Sequence, residues 1–359
     1  MDLLLSDEQR MLQDSAAKFL SRHGGVKRTR SLRDTTDGFD RSVHREMAEE
    51  GWLSILVAPE AGGIGLGLYE LAIVLEQTGR ALAPEPLAAT TVAAAAIAEG
   101  NQFPGAAQLC EQILAGNAIV APALSIEGRP VKATRIDGST IRLEGSIDDA
   151  PVGKSSDGYL IPAATDDGAV LCHVRTGAPG VNVSDNATVD SRPRGTISLD
   201  GASTADILAH GREASKATDR LVTRLLVATS AELLGVMSAA LDMTLEHLRT
   251  RKQFGRPIGS FQALQHRAVD DFTHIVSVRS LLFQLAAQGD AILPSMASAL
   301  KAHAADAALS VTKSAIQLHG AIGFTDEHDA GLYLKRAMWL SAWLGNAAVH
   351  RRRFADLTA

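Results

Sequence analysis

The sequence is short of cysteine. Of its 359 residues only Cys110 and Cys172 are cysteines, and they lie far apart with no metal-ligand spacing. A cysteine-based metal motif is therefore excluded, no other metal site is expected, and a reduced compartment is the default. Positive charge is also in short supply: 35 Lys and Arg stand against 41 Asp and Glu, a formal net charge of -6. Binding of nucleic acid as a main function needs a clustered basic face, which this balance excludes. The one dense basic run, Arg351, Arg352 and Arg353, reads as a solvated helix terminus. No apolar run approaches the ~20 residues of a spanning helix, so no membrane span is expected. The start has no basic-then-apolar leader, and the expected location is the cytoplasm. There is no internal repeat and no low-complexity linker. The glycines between Gly62 and Gly67 lack the spacing and the strand-loop-helix context of a dinucleotide fingerprint, and read as a turn packed against the body.

What the sequence has in plenty is apolar periodicity. With 46% hydrophobic residues it can fill a sizeable core spread over two or three domains. Ser6 caps a helix that carries Met11, Leu12, Ala16, Phe19 and Leu20 at helical intervals. Further helices are expected over 41–50 and over 68–83, the latter with Leu71, Val74, Leu75, Thr78 and Leu82 on one stripe and Pro84 and Pro86 behind it. Ala-rich helices continue to about Gly116. From Ile119 to about Leu208 the texture changes to short β-type runs, among them 140–143, 158–161, 169–174 and 196–199, separated by Gly, Asp and Pro.

Three long apolar-periodic segments follow. The first begins near Leu221, and Arg249, Arg251 and Lys252 crowd its last turn, where cations oppose the macrodipole; Gly255 and Pro257 stop it. The second starts after Ser260 as N-cap and puts Leu264, Ala268, Phe272, Ile275, Leu282 and Leu285 on one stripe. The third follows Pro294 and runs to Gln317, with Gly320 as its break. Together with a helix between Asp329 and Arg353, they predict an antiparallel four-helix bundle. The expected fold is mainly α with a small β domain: an N-terminal helical domain over 1–117, a middle β domain over 118–210 and a C-terminal bundle over 211–359.

This order of parts, with several motifs, resembles the acyl-CoA dehydrogenase family. Ser6-Asp7-Glu8-Gln9-Arg10 is similar to the family's first helix. Gly51-Trp52-Leu53, Pro59-Glu60-Ala61-Gly62-Gly63, Glu76, Gly79-Arg80-Ala81 and Pro84 resemble its N-terminal domain. Arg251-Lys252-Gln253-Phe254-Gly255-Arg256-Pro257-Ile258 with Phe261-Gln262, and Gln317-Leu318-His319-Gly320-Ala321-Ile322-Gly323-Phe324-Thr325, look like its flavin-contacting stretches. The resemblance covers nearly the whole chain.

It implies α,β-dehydrogenation of an acyl-CoA thioester with FAD as cofactor, an electron-transfer flavoprotein or similar acceptor, and an oligomer. It also implies site roles. Arg251 would meet the flavin diphosphate, with backbone donors from the stretch of Gly320 and Ala321. Phe254 would lie on the adenine side with Gln253 and Gln262 as polar neighbours, and Phe261 would be a further flavin contact. Gln317 would reach the diphosphate from a partner chain, the two stretches coming from different subunits, and Asn346 would border the flavin. Read without the resemblance, Arg251 is equally an ordinary helix-end cation.

The departures from the family pattern concern the base that removes the substrate's α-proton. Carrying the register forward from Gln317 puts Leu344, in Trp343-Leu344-Gly345-Asn346, at the usual glutamate's place. The alternative place, at the start of the first bundle helix, falls on Leu225 or Thr223. Glu232 lies about two turns further on and is a further candidate. Loss of a positioned base costs about 10²- to 10⁴-fold in rate. The stretches 122–127 and 145–150 of the β domain have no aromatic residue to lie against a flavin ring. Three readings follow: a dehydrogenase with a relocated base, one subunit of a heteromeric dehydrogenase whose partner supplies the base, and a flavin-free scaffold relative. Retention of Arg251, Phe254 and Gln317 beside loss of the base favours the second.

Overall fold

The structure, a computed structural model, describes residues 5–100, 103–137 and 139–359. The chain falls into two compact units whose segments interleave: Ser31–Leu71 with Pro84–Leu225, and Met1–Arg30 with Ala72–Ala83 and Leu226–Ala359.

The first of these units holds the sheet. Around it lie helices α3 (Arg41–Glu49), α5 (Leu87–Gly100) and α6 (Ala106–Leu114). Asp40 caps α3 by accepting from Ser42 N at 2.8 Å. The strands are β1 (Val120–Pro122), β2 (Val131–Arg135), β3 (Ile141–Pro151), β4 (Gly158–Thr165), β5 (Gly168–Arg175), β6 (Val181–Asn186), β7 (Arg194–Thr204) and β8 (Ile207–His210). They form one sheet in the order β6-β7-β3-β2-β4-β5-β8, with β1 parallel to β4. The alternating burial of β2 and β3 shows one face packed and the other wet, and Ile141, Leu143, Ile147, Tyr159, Ile161, Cys172 and Ile197 fill the packed side. All the β-type runs expected from sequence lie in these strands, apart from Thr140, which precedes β3. The glycine-rich turn is packed as expected, since a Cβ on Gly63 would stand 1.9 Å from the Val57 carbonyl oxygen.

The second unit is helical. Helix α1 (Asp7–Arg22) opens with a reciprocal cap: Gln9 N donates to Ser6 Oγ at 3.2 Å and Ser6 N to Gln9 Oε1 at 3.0 Å. Helix α2 (Gly25–Leu32) buries none of its side chains, so it has no apolar stripe to announce it in the sequence. Helices α4 (Leu68–Ala81) and α7 (Gly211–Thr250) cross at two glycines. A Cβ on Gly79 would lie 2.2 Å from the Glu232 carbonyl oxygen, and one on Gly235 2.0 Å from that of Glu76. Either would force the helices apart, which is why these positions have no side chain.

Helix α7 has 40 residues and starts ten residues before Leu221, because its first turns are polar and lack the apolar repeat. It also contains an 18-residue window of mean hydropathy 1.5, long enough by composition to span a membrane, contrary to the sequence expectation; 89% of that window is buried in the protein, so packing accounts for its apolarity.

A short hairpin, β9 (Lys252–Gln253) and β10 (Arg256–Pro257), leads to α8 (Gln262–Ala286). Phe261, not Ser260, occupies the N-cap of α8, because the Ser260 hydroxyl donates to the Pro257 carbonyl at 2.7 Å instead. Ala268, Ile275, Leu282 and Leu285 of the expected stripe are buried and Leu264 is partly so, but Phe272 is 58% exposed and its neighbour Asp271 takes the buried place. Helix α9 (Pro294–His319) starts with Pro294 in its first turn and packs against α8, α10 (Ala330–Ala342) and α11 (Ala347–Thr358). The single last helix expected from sequence is thus two helices, joined by a tight turn at 343–346.

Candidate functional site

The two motifs singled out in the sequence meet within one chain. Leu248, at the end of α7, shares a small apolar cluster with Leu318 of α9 and Ala268 of α8. Beside it the rings of His247 and His319 stand 4.6 Å apart, and His319 and His328 4.4 Å apart. Burial, and then the charge of His328, lowers the pKa of His247. Burial also lowers that of His319, against the opposing pull of the Ala315 carbonyl. The three rings form a packed seam between the helix ends. Arg251, whose backbone N–H donates to His247 O at 2.9 Å, and Gly320, next to His319, therefore emerge at neighbouring ends of α7 and α9.

The groups at this edge are open to solvent. Arg251, Gln253, Gln262, Gln317 and Ala321 are all exposed, and Arg251 forms no ion pair among the described residues. Gly320 has φ +70° and ψ -146°, a conformation that side-chain-bearing residues avoid, although a Cβ there would meet nothing within 4 Å. Its demand is conformational, and it leaves the backbone approachable.

Phe254 and Gly255 form the two-residue loop of the β9–β10 hairpin, both with positive φ (53° and 78°), as a primed turn requires. Phe254 is 90% exposed and touches Phe261 edge-on at 6.0 Å. Arg256 lies over the Phe261 ring at 4.1 Å, so of the two arginines in the hairpin motif this one is already engaged. A bulky aromatic ring held in a left-handed conformation and turned to water carries a conformational cost that internal packing does not offset. The set of free cation, exposed amides, exposed aromatic ring and bare glycine backbone fits a dinucleotide: a cation and donors for diphosphate, an apolar ring for a base.

The turn after α10 has its own geometry. Trp343 (φ -61°, ψ 137°) and Leu344 (φ 59°) are the central residues of a type II turn closed by Gly345 N donating to Ala342 O at 3.1 Å. Leucine is an unusual occupant of the second central position, where the positive φ favours glycine. Leu344 is buried and Asn346 exposed, with Asn346 Oδ1 accepting from Ala348 N and Val349 N as the cap of α11. Beneath the turn lies Lys301 of α9, fully buried, its Nζ donating to Ser341 O and Gly345 O at 3.2 Å each.

Glu232 is neither a solvent partner nor a loose carboxylate. Arg336 donates to its Oε1 through Nε at 2.8 Å and Nη2 at 2.5 Å, both side chains are buried, and the guanidinium lies 5.1 Å from the Trp339 ring. Of the alternative base positions, Leu225 is fully buried and Thr223 nearly so, and Arg224 between them pairs with Glu99 at 2.6 Å.

In the sheet-bearing unit a cavity of about 590 Å³ lies between the loop after β1, β3, β4 and the first turns of α7; Ser125, Arg129, Asp148, Ser215 and Asp219 are among its lining residues, and none is aromatic.

Sequence reasoning missed the histidine seam, Lys301 and Arg336. Lys301 had a faint signal, a lysine at the i+4 position from Ala297 on the buried stripe of an Ala-rich helix. Arg336 had none.

Comparison with known proteins adds a second line of observation. A family model for the acyl-CoA dehydrogenase N-terminal domain matches residues 6–119, and one for the acyl-CoA dehydrogenase C-terminal domain matches residues 220–357. The chain is 30% identical over 352 residues to acyl-CoA dehydrogenase IpdE2 of Mycolicibacterium smegmatis, covering 97% of this chain and 98% of that one. Among solved structures, a Tcur3481-Tcur3483 steroid ACAD variant superposes with a TM-score of 0.90 at 31% identity, covering 98% of each chain. The ChsE4-ChsE5 complex from Mycobacterium tuberculosis superposes with a TM-score of 0.90 at 29% identity, covering 99% of this chain and 98% of that one.

Proposed function

The chain belongs to the acyl-CoA dehydrogenase family, and on that premise we propose that it is one subunit of a heteromeric, FAD-dependent acyl-CoA dehydrogenase whose partner chain supplies the base. The observation that carries this reading is the pairing of a retained dinucleotide edge with a catalytic turn that has lost its carboxylate. Arg251, Gln253, Phe254 and Gln317 stand exposed and unspent, while Leu344 sits where a proton acceptor belongs. Glu232, the other candidate, is committed to Arg336.

In this reading the Arg251 guanidinium binds the flavin diphosphate, and the backbone around Gly320 and Ala321 comes close enough to donate to it. Phe254 and Phe261 cover the adenine, and Gln253, Gln262 and Gln317 orient the polar rim. Asn346 presents its amide N–H groups, since its oxygen caps α11. The bound flavin supplies the acceptor for the substrate's β-hydride. The residues of this chain hold and orient, and the α-proton leaves to a carboxylate on the partner.

An acyl-CoA with a bulky, steroid-like acyl part is the proposed substrate class, by likeness to the steroid ACAD structure, and the electrons pass to an electron-transfer flavoprotein or a similar acceptor. The proposed domains are 1–117, 118–210 and 211–359, and the proposed location is the cytoplasm.

The test is purification of the chain alone and together with a co-expressed dehydrogenase-like partner, followed by a flavin absorption spectrum and acyl-CoA-dependent dye reduction. The expected result is little or no turnover alone and flavin-dependent turnover in the complex. Robust turnover by the lone chain would overturn the heteromeric reading, and a colourless complex would overturn the flavin.

A further inference from the structure

The most unusual buried group in the helical unit is Lys301. Its side chain, from the eighth residue of α9, is fully buried and makes no ion pair with a carboxylate among the described residues. Lysine is almost never buried in this way without a partner, because desolvating an ammonium is costly. What it has instead are two carbonyls, Ser341 O and Gly345 O, at 3.2 Å each. These flank the type II turn: one is in the last turn of α10, the other directly after Leu344.

The turn needs holding. Leu344 is in a left-handed conformation (φ 59°) in which a leucine is strained, and Gly345 continues it at φ 98°. A Cβ on Gly345 would lie 3.0 Å from Val349 Cγ1 and 3.3 Å from His350 Nε2, so α11 presses on the turn from the other side. Asn346 fixes the far end by capping α11. The chain thus makes two sharp changes of direction within 343–346, with a buried amine bridging them.

We propose that Lys301 is a positioning residue that clamps the 343–346 turn, setting where Leu344 and Asn346 stand relative to the flavin. The clamp itself follows from the helical unit alone; its effect on flavin rests on the function proposed above. Replacing the residue would leave the Ser341 and Gly345 carbonyls without a buried donor and allow Leu344 to relax toward an unstrained backbone.

Two readouts separate the clamp from the flavin reading. The first is amide hydrogen exchange over 343–350 in the purified full chain, which needs no flavin. In the unaltered protein these amides are expected to exchange as slowly as those of α10; exchange at the rate of a free loop would overturn the clamp with no variant needed. In Lys301→Met, similar in length and apolar, exchange in this segment should rise about 10- to 100-fold, with α8 unaffected. Lys301→Gln, whose amide can still donate two protons, should recover part of that protection.

The second readout is the flavin absorption spectrum of the co-purified complex. Lys301→Met should shift or broaden the bands, and Lys301→Gln should move them back. Faster exchange with an unchanged spectrum would show that the turn is clamped but does not face flavin, refuting the positioning role. Unchanged exchange in folded Lys301→Met would refute the clamp even with flavin bound. If Lys301→Met does not accumulate as folded protein, exchange in the unaltered chain and in Lys301→Gln decides the matter.

Discussion

Glu232 and Arg336 offer a prediction that separates a structural carboxylate from a catalytic one. They join α7 to α10 across 104 positions of sequence, with Glu232 6% and Arg336 5% exposed. Removing one member strands the other charge away from water, which costs about 3–5 kcal/mol, whereas replacing both by apolar residues of similar volume is often neutral or better. Arg336→Met also forfeits the stacking of its guanidinium on Trp339, roughly 0.5–2 kcal/mol.

The expected pattern is therefore non-additive. Glu232→Leu and Arg336→Met each lower the denaturation midpoint strongly, and the double variant recovers most of the loss. The coupling obtained from urea titrations of the four proteins should be several kcal/mol. Glu232→Gln should destabilise, because the amide leaves the guanidinium charge uncompensated, while the folded complex keeps its turnover. Two results would refute the argument: a double variant whose loss is the plain sum of the single ones, or a Glu232→Gln complex that is as stable as before yet inactive. The second would return Glu232 to the role of base.

Arg251→Ala is expected to lower flavin retention of the complex at least tenfold, measured as the flavin-to-protein absorbance ratio after gel filtration, since a diphosphate without its cation is poorly held; unchanged flavin content would mean the edge has another use. Gly79→Ala should cost several kcal/mol and lower the midpoint of thermal unfolding, because its Cβ would stand 2.2 Å from backbone on α7; a neutral effect would show that the crossing can open freely.

Stability should also depend on pH through buried bases. Burial pushes Lys301 from 10.5 down to about 7. Between those values the unfolded chain holds a proton that the folded chain does not, so stability rises with pH across the window, by up to about 1.4 kcal/mol per unit. Below about pH 7 that penalty is constant. His350 on α11, lowered to about 4 by burial and then by the Lys301 charge, and His44, lowered to about 4 by burial and then by Arg41, act in the same direction between about 4 and 6.5. Urea midpoints at pH 7.5, 8.5 and 9.5 should climb in the unaltered protein and flatten in Lys301→Met; equal slopes would refute the assignment.

Elements whose cause is local were legible before any coordinates. The reciprocal cap at Ser6, the Pro294 start of α9, the stripes of α4 and α7 and the alternation of the strands all arise within a few residues of one another, and periodicity reports that. At the start of α8 a local competitor shifted the boundary, the Ser260 hydroxyl turning to Pro257, and α2 went unmarked because it buries nothing. The Arg251 and Gln317 motifs were visible for the same reason, as contiguous runs of residues with recognisable chemistry.

Sequence alone thus determined the helices, the strands, the absence of a carboxylate at Leu344 and the presence of the Arg251 and Gln317 stretches. Tertiary structure decided that those motifs share an edge through His247 and His319, that Glu232 belongs to Arg336, and that Lys301 lies under the 343–346 turn. The reason is physical. Which side chains meet across helices depends on where the helices cross, and that is set by shape at points such as Gly79 and Gly235, where two backbones touch and no pattern along either segment names the other.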